Sequence, residues 1–227
     1  VVILVAANLA TKFTPSWTDL VIGPATAAAL VLIARGRGLT WEELGLSRRN
    51  LRTGAWYALV CVGLVAAGYA VALAVPRFRE AFLDTRYHVP VGQALVTAFV
   101  LIPFGTVLLE EVAFRGVLWA EFRRYRGEVY ATVLSSALFG LWHVLPSLRL
   151  GASNQAIGSI TGSAAGGGGA RAVVVAVTVA FTAAAGLLLC ELRRRSGSLL
   201  APAGLHWATN ALGVLAGVIA WSLTPGG

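Results

Sequence analysis

Sorted into apolar and polar positions, the chain is a succession of long apolar runs separated by short arginine-bearing segments. The runs lie near residues 1–11, 18–34, 54–75, 91–109, 129–146, 172–190 and 199–223. A helix needs roughly 20 mostly apolar residues to cross the hydrocarbon core of a bilayer. The first run is too short to span alone and reads as the remnant of a longer helix. Lipid supplies no hydrogen-bond partners to the backbone, so only helices and closed barrels cross it. These runs are too long and unbroken for barrel strands. The pattern therefore predicts an all-α polytopic transmembrane bundle of about six to seven spans.

The charges between the runs alternate. One set of segments carries Arg35, Arg37, Arg48, Arg49 and Arg52, then Arg123, Arg124 and Arg126, then Arg193, Arg194 and Arg195. The other set is poorer in net positive charge: Lys12, then Arg77, Arg79 and Arg86 offset by Glu80 and Asp84, then Arg149 and Arg171. Lys and Arg are retained on the cytoplasmic side, so the first set is expected there. Residues 40–50, TWEELGLSRRN, read as a short amphipathic surface helix whose arginines favour anionic headgroups. Residues 151–171 are rich in Gly, Ser and Ala and read as a flexible external loop. No P-loop lysine follows that loop, so it is expected to be a plain linker.

Composition narrows the picture. Of 227 residues, 57% are hydrophobic and 12% charged, and mean hydropathy is +0.76. Soluble domains carry about a quarter charged residues, so disorder, coiled coil and a soluble globule are all excluded. The net charge of +8 lacks the soluble basic face a nucleic-acid binder needs; no nucleic-acid partner is expected. Cys61 and Cys190 lie inside apolar runs and say nothing of redox compartment. The opening VVILVAANLA lacks the basic flank and cleavage region of a signal peptide, and without an initiating Met the first helix is expected to be truncated. Neither an internal repeat nor a composition shift marks a second domain, so residues 1–227 read as one membrane-embedded unit.

A few polar residues fall where lipid should be, and ionisable groups at that depth mark functional sites by default. Glu110 and Glu111 follow the apolar run directly. Arg115, His143, His206 and Asn210 complete the set. Glu111 and Arg115 are four apart, share a helix face and can pair. Glu110 is rotated by about 100° from Glu111 and addresses a different neighbour. His206 and Asn210 also share a face, and Phe139 lies one turn before His143, where it can pack on the ring. Glu110 and His143 lie at similar distances on either side of the turn near residue 126, roughly 25 Å of helix from it. His206 lies about 16 Å past Arg195. Three titratable groups from three helices are thus expected at comparable depth. A helix from 91 to 122 exceeds the bilayer and must tilt, kink near Pro103–Gly105, or project from it.

Such a cluster supports three chemistries. A desolvated carboxylate, Glu110, can act as general base on a water that attacks a peptide carbonyl. His206 and Asn210 would then donate to the oxyanion, and His143 would orient the water or the carboxylate. Alternatively Glu110, His143 and His206 hold a zinc ion, though the HExxH signature is absent. Or the polar groups simply join helices by hydrogen bonds.

EEVAFRG (110–116) fits an EExxxR motif, FGLWH (139–143) fits FxxxH, and HWATN (206–210) fits HxxxN. In that order on separate helices, they resemble the CAAX proteases and bacteriocin-processing enzymes, also called the Abi family, which include the type II CAAX prenyl endopeptidase. The similarity covers about residues 91–215. It implies an integral-membrane endopeptidase with Glu110 as the water-activating carboxylate and His143 as second site residue. His206 and Asn210 would stabilise the oxyanion, with Glu111 and Arg115 supporting. It also implies a glutamate-activated water requiring no metal cofactor.

The expected partner is a membrane-associated protein or peptide substrate in the lipid bilayer. The arginine-rich, lysine-poor composition points to a prokaryotic plasma membrane, and the site is expected to open toward the cytoplasm. The rival readings are a non-catalytic immunity or adaptor protein and a proton-relaying transporter, the latter weakened by the absence of an inverted repeat.

Overall fold

A computed structural model describes residues 2–148 and 168–224. The Gly-rich loop expected at 151–171 therefore lies almost wholly outside the described residues. Helix α1 is Val2–Phe13 and α2 is Asp19–Gly36. Helix α3 is Leu51–Ala74, α4 is the long helical stretch Val91–Ser147, α5 is Gly168–Ser196, and α6 is Leu200–Ser222. No strand occurs among the described residues.

Five segments are long and apolar enough to cross a membrane, and α4 is one of them. Helix α4 is a hairpin of two antiparallel arms. Trp119 meets Thr132, Phe114 meets Ser135 and Glu110 meets Trp142, a register centred between residues 124 and 126. The turn falls at Arg126 and Gly127, where Gly127 takes φ 82°, a conformation an L side chain would resist. The five segments thus make six passes. Helix α1, at twelve residues, is about 18 Å long and cannot span. It packs Leu4 and Ala7 into the same core as Leu109, Phe114 and Phe139.

The surface confirms what surrounds the bundle. Helix α3 buries none of its apolar window, and Leu64 is 69% exposed, as expected of a face turned to lipid. Lipid tails are as apolar as leucine, so burial alone does not hold such helices together; close packing does. The second arm of α4 and α5 show how. Ser136 and Gly140, one turn apart, face Ala183 and Gly186. A Cβ on Gly140 would come within 2.7 Å of the Val179 carbonyl oxygen.

The three arginine-bearing segments assigned to one side from sequence do converge at one end. Arg124 pairs with Glu43 at 2.6 Å, Arg37 with Glu121 at 2.8 Å, and Arg193 donates to the Glu42 and Glu43 carbonyls. Arg124 holds the Glu43 carboxyl down at about 2, well inside its ionised range. Leu39 and Leu44 are fully buried beneath this ring, and Leu199 N–H donates to Gly45 O. Residues 40–50 are turns followed by a short 3₁₀ turn rather than the amphipathic helix expected, because Leu39 and Leu44 are drawn inward to cap the bundle. At the opposite end, the 80–88 segment packs on the end of α6, with His88 stacked on Trp221 and Trp221 donating to Asp84 O.

The excess length of the first arm is absorbed in two ways. Gly116 packs against Leu44 and Leu199, so the hairpin tip projects beyond the start of α6. The arm is also widened to π geometry over Thr97–Val107 and Glu111–Leu118. In a π register the Ala98 carbonyl would receive residue 103's amide N–H, which Pro103 lacks. The Trp207 indole supplies that donor at 2.9 Å.

Candidate active site

The two motif-bearing helices are irregular where the chemistry sits. Besides Glu111–Leu118, α6 is π-wound over Ala208–Leu212, between His206 and the end of its motif. Such widened turns cost regular hydrogen bonds and concentrate at functional sites. Here Tyr69 OH of α3 donates to the Thr209 carbonyl oxygen at 3.0 Å, which ties α3 to the widened turn.

His206 is the hub. Its Nδ1 lies 2.8 Å from Glu111 Oε1, and its Nε2 lies 3.7 Å from Glu110 Oε2. All three residues are buried. Adjacent carboxylates on the first arm thus address opposite nitrogens of one imidazole. Glu110 therefore shares His206 with Glu111 instead of facing a different neighbour as its rotation suggested; only its other oxygen, on Trp142, does that. Arg115 Nη1 donates to Glu111 Oε1 at 3.1 Å, and its guanidinium carbon sits 3.9 Å from the Phe139 ring centre. Arg115 is entirely buried, so this pair and the aromatic face hold its charge.

Phe139 organises the second arm. Its ring packs edge-on against His143 at 4.7 Å and against His206 at 5.8 Å. His143 Nδ1 lies 2.9 Å from the Phe139 carbonyl oxygen. A carbonyl only accepts, so Nδ1 carries the proton and Nε2 of the neutral ring is an acceptor.

Trp142 is the contributor that motif reading missed. Its indole N–H donates to Glu110 Oε1 at 2.8 Å, and Asn8 of α1 donates to its carbonyl oxygen. Glu110 Oε2 has no hydrogen-bond partner among the described residues. The available signal was physical: an indole buried at membrane depth needs an acceptor, and Trp142 adjoins a site histidine. A charge-assisted hydrogen bond of this kind contributes roughly 1.5–3 kcal/mol. Trp142→Phe is therefore expected to lower kcat by about tenfold or more while leaving KM nearly unchanged. Steady-state kinetics on the purified variant checks this.

His143, His206 and Asn210 line one cavity of about 540 Å³ beneath Tyr69, Phe139 and Phe181. Glu110 does not line it and meets it through His206. The carboxylate and one imidazole lie within one water of each other, whereas His143 and Asn210 approach from the cavity side. Among the described residues no group of three or more His, Cys, Asp or Glu side chains is arranged to hold a metal.

The whole set falls inside one matched region. Residues 92–212 fit the family model of Type II CAAX prenyl endopeptidase Rce1-like proteins, which is more than half of the chain. The chain belongs to that family. No curated protein and no solved structure matches it. As an Rce1-like chain it is an integral-membrane hydrolase of the CAAX-protease type. The matched region begins and ends within a few residues of the stretch expected from the three motifs alone. It takes in Glu110, Glu111, Arg115, Phe139, His143, His206 and Asn210.

Proposed function

We propose that this protein cleaves a peptide bond in a membrane-attached protein or peptide, using a water activated by Glu110. The observation that carries the reading is the buried Glu110 Oε2, which has no hydrogen-bond partner among the described residues and lies 3.7 Å from His206 Nε2. A water within hydrogen-bond reach of both atoms sits where a base can take its proton. Trp142 fixes the other carboxylate oxygen, so the base is held in one orientation.

The charges support a role for each neighbour. Glu111 accepts from Nδ1 of His206 and from Arg115. With Nδ1–H committed, a neutral His206 would turn the Nε2 lone pair toward Glu110, which is repulsive. An imidazolium between the two carboxylates brings Glu110, Glu111, Arg115 and His206 to zero net charge. Nε2–H is then a donor for the developing oxyanion, joined by the Asn210 amide across the cavity. Attack by the water forms the C–O bond while its proton passes to Glu110. Collapse breaks the C–N bond, and Glu110 returns that proton to the leaving amine. His143, which lines this cavity and has Nδ1 committed to a carbonyl, would use Nε2 as an acceptor for the water or the substrate amide. Glu111 and Arg115 are positioning residues.

The zinc alternative with Glu110, His143 and His206 draws on the same side chains. The commitment of His206 Nδ1 to Glu111 and of His143 Nδ1 to a carbonyl leaves both Nε2 atoms able to ligate, so it does not decide between the two. What favours the glutamate reading is that no three His, Cys, Asp or Glu side chains among the described residues are arranged to hold a metal. The test is peptide hydrolysis by purified protein in nanodiscs, with metal analysis and chelator titration. Hydrolysis that persists in excess chelator supports the glutamate mechanism. Stoichiometric zinc whose removal abolishes turnover overturns it. The non-catalytic immunity or adaptor reading has its own outcome in that assay: no membrane-attached peptide is cleaved under either condition.

A further inference from the structure

Of the polar side chains in the site, the Asn210 amide is held least. Glu110, Glu111, Arg115, His143 and His206 each have a hydrogen bond to a neighbour. The Asn210 side chain has none among the described residues, and Asn210 is exposed. It borders two cavities, of about 540 and 520 Å³, each also lined by Tyr69, His143 and Thr209. An oxyanion donor is effective only when it is aimed before the reaction begins. The direction of this amide therefore has to come from the backbone that carries it.

That backbone is the π-wound turn Ala208–Leu212. In regular α winding the Gly213 N–H would donate to the Thr209 carbonyl; here it donates to the Asn210 carbonyl. The Tyr69 hydroxyl of α3 donates to the Thr209 carbonyl in its place, at 3.0 Å. The Thr209 hydroxyl donates in turn to the His206 carbonyl at 2.9 Å, so one residue links Tyr69 to both ends of the HxxxN motif. Tyr69 is itself braced. Its ring meets Phe82 edge-on at 5.2 Å, and Phe82 belongs to the segment anchored by Trp221. Helix α3 lies tight against α6, where a Cβ on Gly204 would come within 2.5 Å of the Ala58 Cβ.

We propose that Tyr69 is a positioning residue of the reaction, whose hydroxyl fixes the widened turn so that the Asn210 amide is aimed at the oxyanion. Tyr69 lies outside the matched residues 92–212, in an apolar run where its hydroxyl carries no motif. The contacts that seat α3, at Gly204 and at Phe82, do not involve that hydroxyl, so its loss acts on the turn rather than on the packing of the helix. The inference rests on the peptidase reading for the oxyanion; the hold of Tyr69 on the turn does not depend on it.

Tyr69→Phe removes the hydroxyl and keeps the ring. Its kcat is expected to fall about three- to tenfold with KM nearly unchanged. In an Asn210→Ala background the same substitution should lower kcat no further. A second readout needs no turnover. The chain has four asparagines, and in protein isotope-labelled at asparagine the Asn210 side-chain resonance is identified by its loss in Asn210→Ala. Tyr69→Phe is expected to shift or broaden that resonance and to leave those of Asn8 and Asn50 in place. An unmoved Asn210 resonance, an unchanged kcat, or equal losses with and without Asn210 overturns the proposal. If Tyr69→Phe does not fold, Phe82→Leu frees the ring and should move kcat and the resonance in the same directions; no movement overturns the proposal. Absence of cleavage by the wild-type protein refutes the peptidase reading alone, and the Asn210 resonance then decides whether Tyr69 positions the amide.

Discussion

Glu110→Gln is expected to lower turnover by about 10²–10⁴-fold while the protein still folds and inserts. Glutamine keeps the shape of the side chain and an oxygen able to accept from the Trp142 indole. It also removes the charge that faces His206 Nε2 at 3.7 Å, so some stability is expected to go with it, and the melting temperature shows whether the variant remains folded. What disappears is the basicity needed to take a proton from water, a contribution of about 10²–10⁴-fold. Substrate affinity should persist, because the group acts on the water rather than on the peptide. Peptide hydrolysis and peptide binding, measured on the same nanodisc preparation beside its melting temperature, give the required split. Wild-type turnover in Glu110→Gln sinks the general-base assignment. Combining it with Trp142→Phe should add almost nothing, since the indole acts through that carboxylate.

Arg115→Ala destabilises the protein by about 3–5 kcal/mol, the usual consequence of removing one partner from a fully buried ion pair. Arg115 and Glu111 are 0% and 2% exposed at their side chains, and the guanidinium also covers the face of Phe139. Alanine leaves Glu110 and Glu111 with His206 as the one remaining cationic partner and opens a void against Phe139. The yield of folded protein and its thermal midpoint in detergent should both fall. The double variant Glu111→Gln/Arg115→Met removes both charges and refills the void, so it should regain most of the lost stability. It should not regain activity, because His206 then has no carboxylate to orient it through Nδ1. Recovery of stability without turnover distinguishes a positioning role from a purely structural one. If Arg115→Ala proves as stable as wild type, the electrostatic account of the site fails.

The residues that were legible from sequence are those governed by local rules. The Glu111–Arg115 pair follows from four-residue spacing, and the contact of Phe139 with His143 from one helical turn. The hairpin at 126 follows from an arginine-rich break between two apolar runs, and the convergence of three basic segments at one end from charge retention. Contacts between distant segments were less accessible. His206 was matched with Asn210 as a pair of oxyanion donors, but nothing in the spacing shows its Nδ1 committed to Glu111, 95 residues away. Trp142 passed as an apolar residue of its run because its acceptor lies on the other arm of the hairpin.

Hydropathy, charge asymmetry and three short motifs determined by themselves that this chain is a helical membrane bundle of this family and that its arginines gather at one end. Each of those is a property of a segment measured against lipid or water, and a segment carries it wherever it packs. Tertiary structure alone decided that one imidazole is shared by two neighbouring carboxylates and that an indole braces the first of them. Those outcomes depend on how far one helix slides along another, and small residues such as Gly140 and Gly116, with π-wound turns, set that slide without altering any periodicity in the sequence.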